Sequence, residues 1–476
     1  MSRLQLIPLA IWMFCAISTN GLSQSQHVVL ITVDGLAAYY LFDSRLEIPN
    51  LRELSQQGVW AESSETVFPS LTHPSHTTLT TGVTPRLHGV LGNAMWNRET
   101  RQRFHVTNKK RADSVKVPTL FDLVKERGLT TAAFFWPETN QDASIDYNLP
   151  ELLDPDGHAE KSPAAVGFAE ELTREGIPID LFFRYHGDTQ LSMAGDAVLA
   201  EAAAYTLRKH RPHFLAIHFV STDKVQHPYG SNHYLSWAAI THADRLIGLL
   251  RRAVAEAGMA EQTTFVVGAD HGFHSVYDEM NLYPLFREEG LADRVTLYPD
   301  QWVLHVERKP GLNQTELDRL NRLLSRAARL PGIARVLTSE EYGTLGLPSY
   351  DEDPHVRGQY MIVANIDLHL VVDPTSDSMV PRPKSRPYHG HGYLPSHPRM
   401  YPALVLAGRG IAKGRQIGHV RNLDVAPTIA YLLGLPHQNM SGRLLQEALA
   451  GPSSGTRVTG ERQPEDIGSP TGENRK

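Results

Sequence analysis

The chain has 476 residues, of which 41% are hydrophobic and 21% charged. That length suits a large α/β domain with insertions, and the composition excludes a mostly disordered chain. A net charge of −6 gives no electrostatic reason to expect nucleic acid as a bound partner, though nucleotides stay open as substrates.

Arg3 begins a short positive region, Leu6 to Ser18 is an apolar stretch short for a membrane span, and Thr19 to Gln26 is polar. Residues 1–23 therefore read as a secretory signal peptide cleaved near Leu22–Ser23, with an uncleaved N-terminal anchor as the competing reading. The expected location is secreted or periplasmic, with no stable membrane span after cleavage. The single cysteine, Cys15, lies in this segment, and Phe14 before it argues against a lipoprotein cleavage box. Disulfides are not expected to hold the fold.

Short apolar runs then recur along the chain as buried parallel strands: Val28 to Val33, Thr131 to Phe135, Phe214 to Val220, Thr264 to Gly268 and Ala403 to Ala407. Helical patterns such as Gly195 to His210 and Trp237 to Ala257 lie between them. This alternation predicts a sheet covered on both faces, with sites at the carboxyl ends of its strands. The rhythm breaks over 275–385, where a helical pattern (Gln314 to Arg329), an extended run (Tyr360 to Val372) and Pro-rich connections predict an inserted cap subdomain. The catalytic core is then 27–274 plus 386–450, and the Gly-, Ser- and Pro-rich tail 451–476 is expected to be disordered.

The polar residues that could carry chemistry sit beside these strands. Asp34 directly follows the first, as a ligand or as a turn former. In Thr72-His73-Pro74-Ser75-His76, Pro74 fits a first helical turn and Gly82 a helix end. Thr72 would stand at that helix N-terminus, where free N–H groups favour a phosphate, or would be an ordinary N-cap. Asp223 and His227, four apart, share one face of a helical turn, as metal ligands or as a surface pair. Asp270-His271-Gly272 closes the strand Thr264 to Gly268, and His389-Gly390-His391-Gly392 precedes Ala403 to Ala407. Together, three Asp and three His at strand ends suit two Zn2+ ions, with other divalent transition metals possible. Two such ions can clamp the attacking and leaving oxygens of a phosphoryl group. His76 and His88 read as orienting groups, and His213, His218 and His397 as packing or surface residues.

These motifs, with Pro85-x-x-His88-Gly89, Asn93, Phe134-Phe135-Trp136-Pro137 and Asp424 to Pro436, resemble the nucleotide pyrophosphatase/phosphodiesterase family of the alkaline phosphatase superfamily over about Val28 to Leu449. The resemblance implies an α/β fold, a three-layer α/β/α sandwich of alkaline phosphatase type with an inserted cap subdomain. It implies one zinc held by Asp34, Asp270, His271 and Thr72, and a second held by Asp223, His227 and His391. His391 has a competitor in His389, but its distance to Met400 and the next strand matches the family pattern better. Thr72 is the implied nucleophile, through a phosphothreonine, and Asn93 with the Thr72 backbone N–H would bind a non-bridging oxygen.

Two departures bear on substrate. His73 stands where the family's vertebrate nucleotide-cleaving members have an aromatic stacking residue, so base recognition is expected to be loose. Pro137-Glu138-Thr139 lacks the Lys/Arg pair of related monoesterases. The expected function is a metal-dependent phosphodiesterase or nucleotide pyrophosphatase acting on a small phosphate ester, with Trp136 and the cap walling the second ester group. The alternatives are a phosphomonoesterase or phosphonate hydrolase on the same scaffold, and a non-catalytic binding protein.

Overall fold

The computed structural model describes residues 26–154 and 158–451. The expected signal segment, Cys15 and the tail beyond Gly451 lie outside them.

Eight strands form the central sheet, in the order Arg415–Arg421, Val59–Glu65, Leu404–Gly408, Thr263–Gly268, His27–Val33, Phe214–Phe219, Thr131–Phe134, Tyr147–Leu149. His27–Val33 lies parallel between Phe214–Phe219 and Thr263–Gly268, and is buried along its whole length. Its side chains alternate between two helical layers, as the period of a strand requires. Val29, Ile31 and Val33 join the cluster built on the helices Ser192–Lys209 and Tyr234–Glu256. Val28 and Leu30 join the one built on Leu120–Glu126 and Val425–Leu432. Each fully buried aliphatic side chain of this strand contributes about 1.5–3 kcal/mol of transfer free energy. The result is the three-layer α/β/α sandwich expected.

Two strand expectations need correction. Leu404–Gly408 is antiparallel to both its neighbours. A short run buried on both faces has the same composition in either direction, so sequence does not orient it. The extended run Tyr360 to Val372 is two strands, Tyr360–Ala364 and Leu368–Val371, in different sheets. The strands Val59–Glu65 and Arg415–Arg421 escape an apolar-run search because exposed polar residues interrupt them.

The inserted region carries a four-stranded antiparallel sheet, Val295–Asp300, Val303–Arg308, Tyr360–Ala364 and Ile333–Thr338. The helix Gln314–Ala327 has its own capping box from Asn313 and Glu316, and buries Leu320, Leu323 and Leu324 in the cluster this sheet builds. A three-stranded sheet of Leu368–Val371, His274–Asn281 and Arg382–Gly390 adjoins it, and the proposed cap boundaries at 275 and 385 fall within two of these strands. Phe68, Tyr393 and Met400 of the flanking chain enter the same cluster, so this region packs firmly on the rest.

Candidate metal centre and nucleophile

Three adjacent parallel strands end side by side, and the chain just beyond each delivers a carboxylate. Strands lie about 4.8 Å apart, so groups at their ends meet in one small volume. Asp34 follows His27–Val33, and Asp270 follows Thr263–Gly268. Asp223 stands in the first turn of the helix Ser221–Tyr229, which follows Phe214–Phe219. Buried Asp196 fixes the start of that helix, accepting from the N–H groups of Val220 (3.3 Å) and Ser221 (2.9 Å). Gly35, at φ +67°, turns the chain after Asp34, and its N–H donates to Asp270 Oδ1 at 3.1 Å. The His271 N–H donates to the same oxygen at 3.0 Å, which leaves Asp270 Oδ2 directed elsewhere.

Two groups result. Asp34, Asp270 and His271 offer ligand atoms all within 4.8 Å of one another, and so do Asp223, His271 and His391. His271 Nε2 lies 3.3 Å from Asp34 Oδ1 and 3.2 Å from Asp270 Oδ2, yet all three atoms are buried without a hydrogen bond. His391 Nε2 lies 3.6 Å from Asp223 Oδ1, itself buried and unpaired. The His271 and His391 rings stack with centroids 3.5 Å apart. His227 is more peripheral. Its Nε2 lies 3.2 Å from Asp223 Oδ2, its side chain is 40% exposed, and it is outside both tight groups. Buried oxygens and nitrogens that converge without hydrogen bonds are costly unless a cation joins them, so the donor set fits transition-metal ions with mixed N/O ligands.

The imidazoles share one device. Nδ1 of His227 donates to the His389 carbonyl (2.8 Å), that of His271 to the Gly272 carbonyl (3.0 Å), and that of His391 to the Ser70 carbonyl (2.8 Å). Each bond makes Nδ1 the donor and turns Nε2 toward the carboxylates, where a neutral ring would offer its lone pair to a metal. Burial, and then the nearby His271, hold His391 down to about 3, so its ring is neutral. Burial and repulsion from Asp270 and Asp223 raise Asp34 well above the carboxylate range. Burial pushes Asp223 and Asp270 up as well, but their histidines, led by His227 and His271 respectively, win and hold both below it. The His389 side chain turns away to Ser275 Oγ at 2.7 Å.

Thr72 begins the helix Thr72–Thr81, whose ten residues are all buried. Leu71 precedes it without a side-chain cap, and among the described residues no group hydrogen-bonds the Thr72 hydroxyl, so it is not spent as an N-cap. Neighbouring contacts tie this turn to the cluster. Ser70 O accepts from His391, and Thr72 O accepts from His76 Nδ1, which lies 3.9 Å from Asp270 Oδ2. The His73 N–H donates to Asn93 Oδ1 at 3.0 Å, which frees the Asn93 NH2 to point elsewhere. As the first residue of its helix, Thr72 has no intrahelical acceptor for its N–H, and among the described residues none is found elsewhere, so it is left for a ligand. Beneath the cluster, Thr66, Ser75 and Asn422 all donate to the Asp270 carbonyl, a support that sequence alone did not single out.

His73 departs from expectation. It is 2% exposed and offers no stacking face. Its Nδ1 lies 2.9 Å from Glu138 Oε1 and its Nε2 3.5 Å from Glu151 Oε2. Burial would discharge the ring, but the two carboxylates overcome it and raise His73 to about 10. Burial also raises Glu138, only partly offset by His73. Both shifts act in one direction on stability. For His73 the contribution is complete below pH 6.5 and disappears as pH rises through about 10. His73→Ala strands two buried carboxylates and is expected to cost about 3–5 kcal/mol, measured by denaturant unfolding at pH 7. A loss below about 1 kcal/mol would show that the trio is not an ion cluster.

Trp136, expected as a wall for substrate, is instead 1% exposed and packs edge-on against His76. His218, expected to be a packing or surface residue, is fully buried with Nε2 3.3 Å from Asp34 Oδ2. His213 and His397 make the local structural bonds expected of them. His88, at the end of the short helix Pro85–His88, is buried with its Nε2 3.1 Å from Thr78 Oγ1 of the helix Thr72–Thr81. The open side of the centre faces the inserted region, across a cavity of about 320 Å³ lined by Leu71, Asn93, Trp96, Trp302, Tyr388 and His391 among others. Trp302 comes from the tip of the hairpin Val295–Arg308 and lies against Gly392, where a Cβ would meet its ring at 2.5 Å.

A mostly parallel sheet between two helical layers, with its polar centre at the strand ends, is an α/β fold of alkaline phosphatase type. The chain belongs to the type I phosphodiesterase / nucleotide pyrophosphatase family, whose model matches residues 28–393. It is a hydrolase of phosphodiester and pyrophosphate bonds, in a family that depends on metal. It is 22% identical over 424 residues to the Xenopus laevis bis(5'-adenosyl)-triphosphatase enpp4, covering 89% of this chain and 81% of that one. With human ectonucleotide pyrophosphatase/phosphodiesterase family member 1 it shares 24% identity over 252 residues, 52% of this chain and 24% of that protein. Among solved structures it resembles human ectonucleotide pyrophosphatase/phosphodiesterase 5, with a TM-score of 0.65, 18% identity, and coverage of 90% of this chain and all of that one. An inactive variant of the murine counterpart, in complex with AMP, gives a TM-score of 0.64 at 18% identity, over 89% of this chain and all of that one. Among the described residues no helix is long and apolar enough to cross a membrane.

Proposed function

We propose that this chain is a two-zinc hydrolase that cleaves phosphodiester or pyrophosphate bonds through a phosphothreonine at Thr72. The observation that carries the reading is the free Thr72 hydroxyl in the first turn of a buried helix, tied through Ser70, His76 and Asn93 to a convergent set of Asp and His atoms. Asp34, Asp270 and His271, with Thr72, would hold one ion, and Asp223, His227 and His391 the other. Bound there, the ions would supply positive charge that lowers the pKa of a hydroxyl and of water and offsets charge on the phosphoryl oxygens. Thr72 Oγ attacks phosphorus as the bond to the leaving oxygen breaks, and water then cleaves the phosphothreonine. The Asn93 NH2 and the Thr72 N–H donate to a non-bridging oxygen as its charge grows. The substrate is a small phosphate ester, a nucleotide among the candidates, and the protein works outside the cytoplasm after loss of residues 1–23. Residues 275–385 act as a cap that shapes the substrate cleft.

A diester carries one negative charge fewer than a monoester and needs fewer cationic donors. The ratio of kcat/KM for an aryl diester over the matching aryl monoester, on zinc-loaded protein, is therefore expected to exceed one. A ratio below one would favour the second reading, a phosphomonoesterase or phosphonate hydrolase. Half-buried Lys224, lowered by its burial and partly held up by Asp223, Glu151, Asp196 and Asp34, is a nearby cation that supports that alternative.

A further inference from the structure

The cleft beside Thr72 has a charged far end that the proposed chemistry does not use. Arg357, from the inserted region, lines the same cavity as Asn93 and His391. Its guanidinium is half-buried, which pulls its pKa down, and among the described residues that guanidinium has no ion pair and no hydrogen bond. It lies 5.7 Å from the Trp96 ring and 5.9 Å from the Tyr298 ring. Arg103 lines the same end. The one acid there, Asp300, is raised by burial, and Arg357 and Arg103 only partly draw it back. Two cations face one partly neutralised carboxyl, so the end of the cleft is net positive. The rings of Trp96, Trp302 and Tyr388 form aromatic walls of the same cavity. On the far side of Thr72 the chain is closed by the buried His73–Glu138–Glu151 trio, so an ester arm has this cleft to enter.

We propose that this cleft selects phosphate esters in which one arm carries a second anionic group, a carboxylate or a phosphate, bound by Arg357 with Arg103. The inference rests on the reading of Thr72 and Asn93 as the reacting centre. A planar guanidinium grips such a group through two parallel N–H···O bonds, and flat walls suit a ring in the arm. A quaternary ammonium in the same aromatic box is the contrary occupant. It is disfavoured because Arg357 already sits near the Trp96 ring and the cations outnumber Asp300.

The test is calorimetry on zinc-loaded Thr72→Ala protein with four phenyl phosphodiesters. Their second aryl arm bears a 4-carboxylate, a 4-phosphate, a neutral 4-carboxamide or a 4-trimethylammonium group. The carboxylate or phosphate arm is expected to bind about tenfold or more tightly than the carboxamide. Adding Arg357→Met should bring that ratio close to one, and Arg357→Lys should restore part of it, which a merely structural role for Arg357 would not do. The phosphate and carboxylate arms separate the two sources of anion. Equal binding of all four, a ratio unchanged in both Arg357 variants, or tightest binding of the trimethylammonium arm would each overturn the proposal. Should charge selection depend on Arg357 while the wild-type protein hydrolyses none of these esters, the subsite stands and the catalytic reading falls. Hydrolysis of all four with no charge preference leaves the catalytic reading standing and removes the subsite.

Discussion

Replacement of Thr72 by alanine is expected to abolish nearly all turnover while leaving the fold unchanged. The hydroxyl makes no hydrogen bond within the described protein and caps nothing, so its loss should cost under about 1 kcal/mol of stability. Its chemical loss is of another order, because removing the nucleophile of a covalent mechanism lowers kcat by about 10⁴-fold or more. Thr72→Ser keeps a hydroxyl at the same turn and should retain measurable activity. A diester labelled at phosphorus, quenched in acid during turnover, should leave label on the wild-type protein and on the Thr72→Ser variant, and none on the alanine variant. Near wild-type turnover in the alanine variant would reduce Thr72 to a structural residue of its helix.

Elemental analysis of active protein is expected to give two transition-metal ions per chain, zinc above others. Asp34, Asp223 and Asp270 are buried together, and repulsion within the trio already shows in Asp34. Bound cations relieve that repulsion, so chelation should remove activity and also lower the unfolding midpoint. Metal held at about one thousand times its Kd adds about 4 kcal/mol per site to the folded state. Readdition of zinc should restore both properties. Ligation needs neutral imidazole and ionised carboxylate, so metal should be released as pH falls below about 6. Asp270→Ala removes a proposed ligand and should release metal, whereas His389→Ala leaves the carbonyl that orients His227 and should keep it. Active protein free of transition metal would refute the centre.

The layered core was legible because buried strands next to Asp34, Asp223 and Asp270 stand out as apolar runs that end in acids. Strand direction was not, and Leu404–Gly408 shows why: a run buried on both faces has no polarity to read. The polar edge strands Val59–Glu65 and Arg415–Arg421 look like loops by composition. His73 was legible as a departure from the family pattern, but its burial depends on Glu138 and Glu151, which are far from it in sequence. Arg357 carried no local signal at all, because only the packing of the inserted region brings it to Asn93.

The carbonyl-held imidazoles have a consequence for how the protein can vary. A peptide C=O belongs to every residue type, so a substitution at Ser70 or His389 changes a side chain without deleting the acceptor that aims His391 or His227. The aim of these rings is set by the path of the main chain rather than by the identity of their neighbours. A centre aimed this way depends less on the identity of neighbouring side chains than one oriented by side-chain partners. At His389, whose side chain turns to Ser275, the residue can be exchanged without removing the carbonyl that aims His227, whereas at Ser70 the carbonyl also remains but the buried side chain is held by its bond to the Tyr393 carbonyl.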